Sequence, residues 1–257
     1  MIINVHAGHN PDGKKGCGAI GLIKESTENR KVKDRVIELL RADGHTVYDC
    51  TVDNGTSAND VLKKIVKKCN ANTVDLDVSI HFNACVNDLK GNGKTTGTEC
   101  YVYSASSQAQ DEALRICENI SKLGYKNRGI RPRTDLYVLR KTKAPALLVE
   151  CCFVDDADDV KLYNTETMAI AIASGIVGKD LTPKKPVEVV ETTFKPFLVQ
   201  ITAKELNIRK GAGTNYKIVG TVKKNYKYTI VETKGSWGKL KSGAGWISIS
   251  TKYVKYV

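Results

Sequence analysis

A chain of 257 residues is long enough for one large or two modest domains with a sizeable core, and no apolar run reaches the roughly 18–20 residues of a membrane-spanning helix. The net charge of +12 is unevenly placed: residues 181–257 hold fourteen Lys, one Arg and four Glu, a net +11, while residues 1–180 are nearly neutral. The neutral first part argues against extended nucleic-acid contact and leaves the tail to meet a polyanion, with nucleic acid, anionic membrane and anionic wall polymer all compatible with charge alone.

The chain opens on an expected buried strand over residues 1–7, with neither the basic nor the apolar region of a secretory signal. A glycine-rich loop follows, from Gly8 to Gly21. Helical periodicity covers residues 25–42, where Val32, Val36, Ile37, Leu39 and Leu40 share a face and Gly44 stops the helix. A short strand is expected at 45–50, and Ser57 caps a helix with Val61, Leu62 and Ile65 on its apolar side. Residues 76–81 and 97–103 read as the third and fourth strands, on either side of a polar loop. An amphipathic helix is expected over 107–123 and strands over 136–139 and 146–149. The acidic run 155–159 opens one last helix reaching about residue 177. Alternating strands and helices predict an α/β domain over residues 1–180, a central mixed sheet flanked by helices. Residues 181–197, with Pro183, Pro186 and Pro196, read as a semi-extended linker. Residues 198–257 show short alternating strands and no helical period, which predicts a small all-β barrel.

Eight cysteines, at positions 17, 50, 69, 85, 100, 117, 151 and 152, include no Cys-x-x-Cys pair and are expected as small buried apolar residues in a reducing compartment. The polar residues at strand ends carry more information. His9 follows the first strand, His81 ends the third and Glu150 follows the strand 146–149, the C-terminal rim where α/β folds place their chemistry. Glu25 begins the first helix directly after the glycine loop. Two imidazoles and a carboxylate are the ligand set of a catalytic zinc with a fourth position open to water, and a second carboxylate is then left as a general base. His6-x-x-His9 is not a chelating pair, because positions three apart in a strand face opposite sides. His6 is expected to be structural or supporting, and His45 a surface residue. No Gly-x-Ser-x-Gly marks a serine nucleophile, and Cys85 and Cys151 are better read as packing than as nucleophiles.

Ala7-Gly8-His9, Glu25-Ser26, Ser79-Ile80-His81-Phe82-Asn83 and Leu148-Val149-Glu150 resemble, in order and spacing, the zinc-dependent N-acetylmuramoyl-L-alanine amidases of the Amidase_3 type, over about residues 1–180. The resemblance implies one catalytic Zn2+ held by His9, Glu25 and His81, with Glu150 as the catalytic glutamate. Asn10-Pro11 stands where the family has a double glycine, and His6 where it has an aspartate, departures that bear on loop shape. Asn83 is left as a rim residue without a catalytic role. Leu206-Asn207-Ile208-Arg209, Gly220, Trp237-Gly238 and Gly245-Trp246-Ile247 resemble a bacterial SH3-like wall-binding module. Trp237 and Trp246 are its expected core, and Tyr216, Tyr226 and Tyr228 its candidate outer face.

Together these resemblances imply a peptidoglycan hydrolase like a phage endolysin, made in the host cytoplasm without a signal peptide and reaching the wall after release. A cellular autolysin or sporulation amidase is the alternative, and a non-catalytic wall- or polyanion-binding protein the competing class. The expected partners are peptidoglycan and anionic wall polymers, with no nucleic acid and no membrane insertion.

Overall fold

Runs of Val, Ile and Leu at the two protein periodicities supply the elements of the first unit. In a computed structural model that describes residues 1–183 and 196–257, the chain divides into two compact units, Met1–Thr182 and Pro183–Val257. The linker expected over residues 181–197 lies mostly outside the described residues.

The first unit runs β1 (Ile2–Ala7), α1 (Glu25–Ala42), β2 (Thr46–Asp49), α2 (Ala58–Cys69), β3 (Leu76–Asn83), β4 (Thr98–Val102), α3 (Gln110–Ser121), β5 (Asn127–Pro132), α4 (Tyr137–Lys141), β6 (Ala146–Phe153), α5 (Ala157–Leu162) and α6 (Thr165–Val177). Its sheet has the order β2-β1-β3-β6-β4-β5. β2, β1, β3 and β6 are parallel, β4 is antiparallel to β6, and β5 runs parallel to β4. This is the mixed sheet expected from the sequence.

Alternation along the strands gives the sheet two apolar faces. On one, Ile3, Val5, Val78, Ile80 and Val149 pack with α1, α3 and α6 through Val36, Leu40, Ile116, Ile120 and Ile172. On the other, Ala146 and Leu148 pack with Val61 and Ile65 of α2 and Val138 and Leu139 of α4. Removing a fully buried aliphatic such as Ile80 or Leu40 from such a core typically costs about 2–5 kcal/mol.

In the first unit, four expectations need correction. Residues 136–139 do not form a strand: α4 takes Tyr137–Lys141 and buries Val138 and Leu139, because a short apolar run carries no period that separates strand from helix. β5 was not expected, since Asn127–Pro132 has a single large apolar residue, Ile130, and shows no alternation; it forms as an edge strand paired to β4 alone. The last helix is two helices: Asp156 accepts from Asp158 and Asp159 N–H to start α5, and Asn164 accepts from Thr167 N–H to start α6. Finally, His81 and Glu150 lie within longer strands, as directly opposed partners, with a bulge after His81.

The second unit is a seven-stranded antiparallel sheet of β7 (Phe197–Ile201), β8 (Glu205–Arg209), β9 (Ile218–Lys223), β10 (Lys227–Lys234), β11 (Trp237–Leu240), β12 (Trp246–Ser248) and β13 (Val254–Tyr256), in the order β13-β7-β10-β11-β12-β8-β9. The three-residue β13 was not expected. Val199, Ile201, Val222, Ile230, Leu240, Ile247 and Val254 form the core. Trp237 and Trp246 are only half-buried and stand outside that core, contrary to expectation, with Lys239 Nζ 5.9 Å from the Trp246 ring centroid. Tyr216 and Tyr226 are exposed, whereas Tyr228 packs against the core.

Candidate active site

Three elements deliver three ligand atoms to one point. β1 is followed by Gly8, and the chain turns at His9, whose φ of 65° places a non-glycine residue in the left-handed region. β3 brings His81 alongside, and the first turn of α1 brings Glu25, whose negative charge suits the positive end of the helix. Glu25 Oε1 lies 2.9 Å from His81 Nδ1 and 3.2 Å from His9 Nε2. It also accepts from Phe82 N–H at 3.2 Å, while Oε2 accepts from Ala19 N–H at 2.7 Å. The two imidazoles meet edge to face, with centroids 4.8 Å apart. One ligand atom from each of the three residues falls within 4.8 Å of the other two.

Glycine is required where these groups converge. A Cβ on Gly8 would sit 2.0 Å from His81 Cε1, and one on Gly18, whose φ is +79°, would sit 2.4 Å from Glu25 Oε2. Burial alone would raise the Glu25 carboxyl, but hydrogen bonds from His81 and His9 outweigh it and hold the group below the usual carboxylate range. Burial keeps His81 easier to deprotonate than a free imidazole, against the pull of Glu25. An ionised carboxylate beside two imidazole nitrogens is the donor set a zinc ion requires, so these residues fit the metal.

Glu150 stands at the next position across the sheet, opposite His81 on one side and Glu99 on the other. Its Oε2 is buried without a hydrogen-bond partner, while Thr98 Oγ1 donates to its backbone carbonyl at 2.9 Å. Burial, then the charges of Glu25 and Glu99, push its carboxyl well above the usual range, with Arg133 opposing.

The family description N-acetylmuramoyl-L-alanine amidase matches residues 3–178, and bacterial SH3 domain matches residues 204–255. The chain belongs to the N-acetylmuramoyl-L-alanine amidase family. An uncharacterised protein of Clostridium perfringens is 34% identical to this amidase over 239 residues, 90% of this chain and 69% of its own. The endolysin of Bacillus phage SPP1 is 30% identical over 182 residues, 68% of this chain and 62% of its own. The catalytic domain of the CD27L endolysin, which targets Clostridia difficile, superposes with a TM-score of 0.63 at 26% identity, covering 71% of this chain and 99% of that one.

The other sequence candidates fall where the amidase uses them differently. His6 is buried beneath the site, with Nδ1 3.5 Å from Ser79 Oγ, and burial followed by the charge of His81 lowers it to about 3, so it stays neutral. His45 binds the N-terminal amine and Asp43, away from the ligand set. Asn83 donates to Glu99 Oε1 at 2.8 Å and joins β3 to β4. Burial, then Glu150 and Glu25, drive the Cys151 thiol well up, which disfavours the thiolate a nucleophile needs.

Three supporting residues escaped the sequence reading. Arg30 fastens the His9 turn to α1: its Nη2 donates to the His9 carbonyl at 2.9 Å, its Nη1 to Ser26 O at 2.9 Å, and Asp53 holds its outer edge. Asp155 Oδ2 accepts from Cys85, Val86 and Asn87 N–H at 2.9–3.0 Å, fixing the loop that leaves β3. Glu99 is 2% exposed and takes Asn83 and the Tyr101 hydroxyl on Oε1. Its sequence signal was a lone carboxylate in an otherwise apolar strand.

Proposed function

We propose that this amidase is a zinc enzyme cleaving the amide between the lactyl carbonyl of N-acetylmuramic acid and L-alanine, with His9, Glu25 and His81 as metal ligands and Glu150 as the proton carrier. The observation that supports this most directly is the convergence of three ligand atoms within 4.8 Å, beside a buried and partnerless Glu150 Oε2. Zinc held there supplies Lewis acidity, drawing density from the scissile carbonyl and making the attacking water more acidic. Glu150 accepts the water's proton and delivers it to the nitrogen of the departing alanine. Its raised proton affinity suits that second half, because the proton is retained until the amine leaves. Glu25 remains anionic and His81 neutral, so neither competes for it.

We assign catalysis to residues 1–180 and wall attachment to the SH3 unit over 198–257, joined through 181–197. The strong positive charge of the tail favours anionic wall polymers beside peptidoglycan, and joining two modules on one insoluble polymer raises effective concentration. Endolysins among the relatives favour release of the enzyme by a phage at host lysis.

End-group analysis of digested walls tests the reaction. Wild-type enzyme is expected to free alanine amino termini without new reducing sugars, and Glu150→Ala to lose at least about a hundredfold of that activity. Alanine termini released by Glu150→Ala at the wild-type rate would remove Glu150 from the chemistry.

A further inference from the structure

The sheet face that carries Glu150 continues outward over β4 and β5. Glu150 is opposed by Glu99, and Tyr101, two residues on and hence on the same face, is opposed by Arg131. This shelf beside the reaction centre is open: the Arg131 side chain is 55% exposed.

Its charges do not balance. Glu99 Oε2 lies 3.2 Å from Arg128 Nε and 3.2 Å from Arg131 Nε, so two guanidinium groups share one carboxylate. Neither Glu99 Oε2 nor Arg128 Nε makes a hydrogen bond, so both guanidinium groups meet Oε2 as ion pairs. Arg133 does not contribute to the excess, because Asp135 closes it with two 2.7 Å hydrogen bonds. Among Arg128, Arg131 and Glu99 themselves, one positive charge is left over. Arg128 is the more enclosed of the pair and lies over the Phe153 ring at 5.0 Å. Arg131 approaches Glu99 through Nε, and its two Nη groups make no hydrogen bond among the described residues. Glu99 is itself fixed by Asn83 and Tyr101, which makes it a rigid anchor for that guanidinium.

A guanidinium anchored at one edge, with both terminal nitrogens free, matches a carboxylate through two parallel hydrogen bonds. In the uncleaved substrate the lactyl carboxyl is consumed in the scissile amide and N-acetylated sugars are uncharged, so a carboxylate near the reaction centre belongs to the peptide. We propose that Arg131, anchored on Glu99, forms a subsite for a free carboxylate of the stem peptide on the alanine side of the scissile bond. The enzyme then distinguishes peptides with that carboxylate free from those with it amidated. The inference rests on the amidase reading above.

Two soluble muramoyl peptides that differ only in carrying a carboxylate or a carboxamide on the residue after alanine provide the test. Wild type is expected to favour the carboxylate by about tenfold in kcat/KM, mostly through KM. Arg131→Gln brings the ratio close to one, and Arg131→Lys, which keeps the charge without the fork, leaves an intermediate ratio. Equal cleavage of both peptides by wild type overturns the subsite while leaving the amidase reading intact. So does a ratio that both Arg131 variants preserve. If neither peptide is cleaved by wild type while walls also release no alanine termini, the amidase reading falls and the subsite with it.

Discussion

Single side chains set the acid–base properties of this site. Glu150 faces two other carboxylates, Glu25 and Glu99, and its Oε2 is enclosed, so its proton is held well above the usual glutamate range. As the proposed base it works only when ionised, so activity is expected to rise with pH through that raised pKa. Glu99→Gln removes one of the opposing charges, lowers the pKa of Glu150 and moves the acid limb of the kcat/KM profile toward lower pH. A limb that stays in place would show that Glu99 has no electrostatic hold on the reacting carboxyl. The four polar residues of the candidate centre could be singled out in the sequence because each follows or ends an apolar strand, or opens a helix after glycines. Arg30 and Glu99 were not, because a charge on a helix or strand reads as a solvated face until the fold shows what it touches. Nor could the sequence indicate that Gly8 must lack a Cβ for His81 to occupy its place.

Among the elements, the strands carrying the site were readable and the edge strand β5 was not. β6 is a near-continuous apolar run, as a strand buried on both faces tends to be, while β3 alternates Leu76, Val78, Ile80 and Phe82 with polar residues. β5 gains its stability from pairing with β4, and that tertiary contribution leaves no trace in Asn127–Pro132. The acidic run after β6 was legible only as a helix start. In the fold it organises the loop between β3 and β4: Asp155 binds three successive amides, Asp158 those of Asn92, Gly93 and Lys94, and Asp156 and Asp159 those of Thr96 and Gly97. Asp155→Ala strips three backbone N–H groups of their acceptor at the rim of the site. A loss of about 2–3 kcal/mol in denaturant unfolding is expected, with faster amide exchange at residues 85–87. Unchanged exchange there would mean that the loop is held by other contacts.

At the scale of the whole molecule, two units with different charge and different secondary structure share one chain. That division was plain in the sequence, from the change of periodicity and the cationic tail. The positions of the tyrosines and tryptophans within the second unit were not, since half-buried aromatics and core aromatics share one residue pattern. In the proposed centre, metal retention and proton transfer belong to different residues. Metal content of purified full-length protein, measured for wild type, His81→Ala and Glu150→Ala, tests this most directly. One zinc per chain is expected in wild type and in Glu150→Ala, with wall hydrolysis lost only in the latter, and His81→Ala is expected to lose both zinc and activity. A metal-free wild type that still hydrolyses wall in the presence of a chelator, or a His81→Ala protein that keeps its zinc, would contradict the proposed centre.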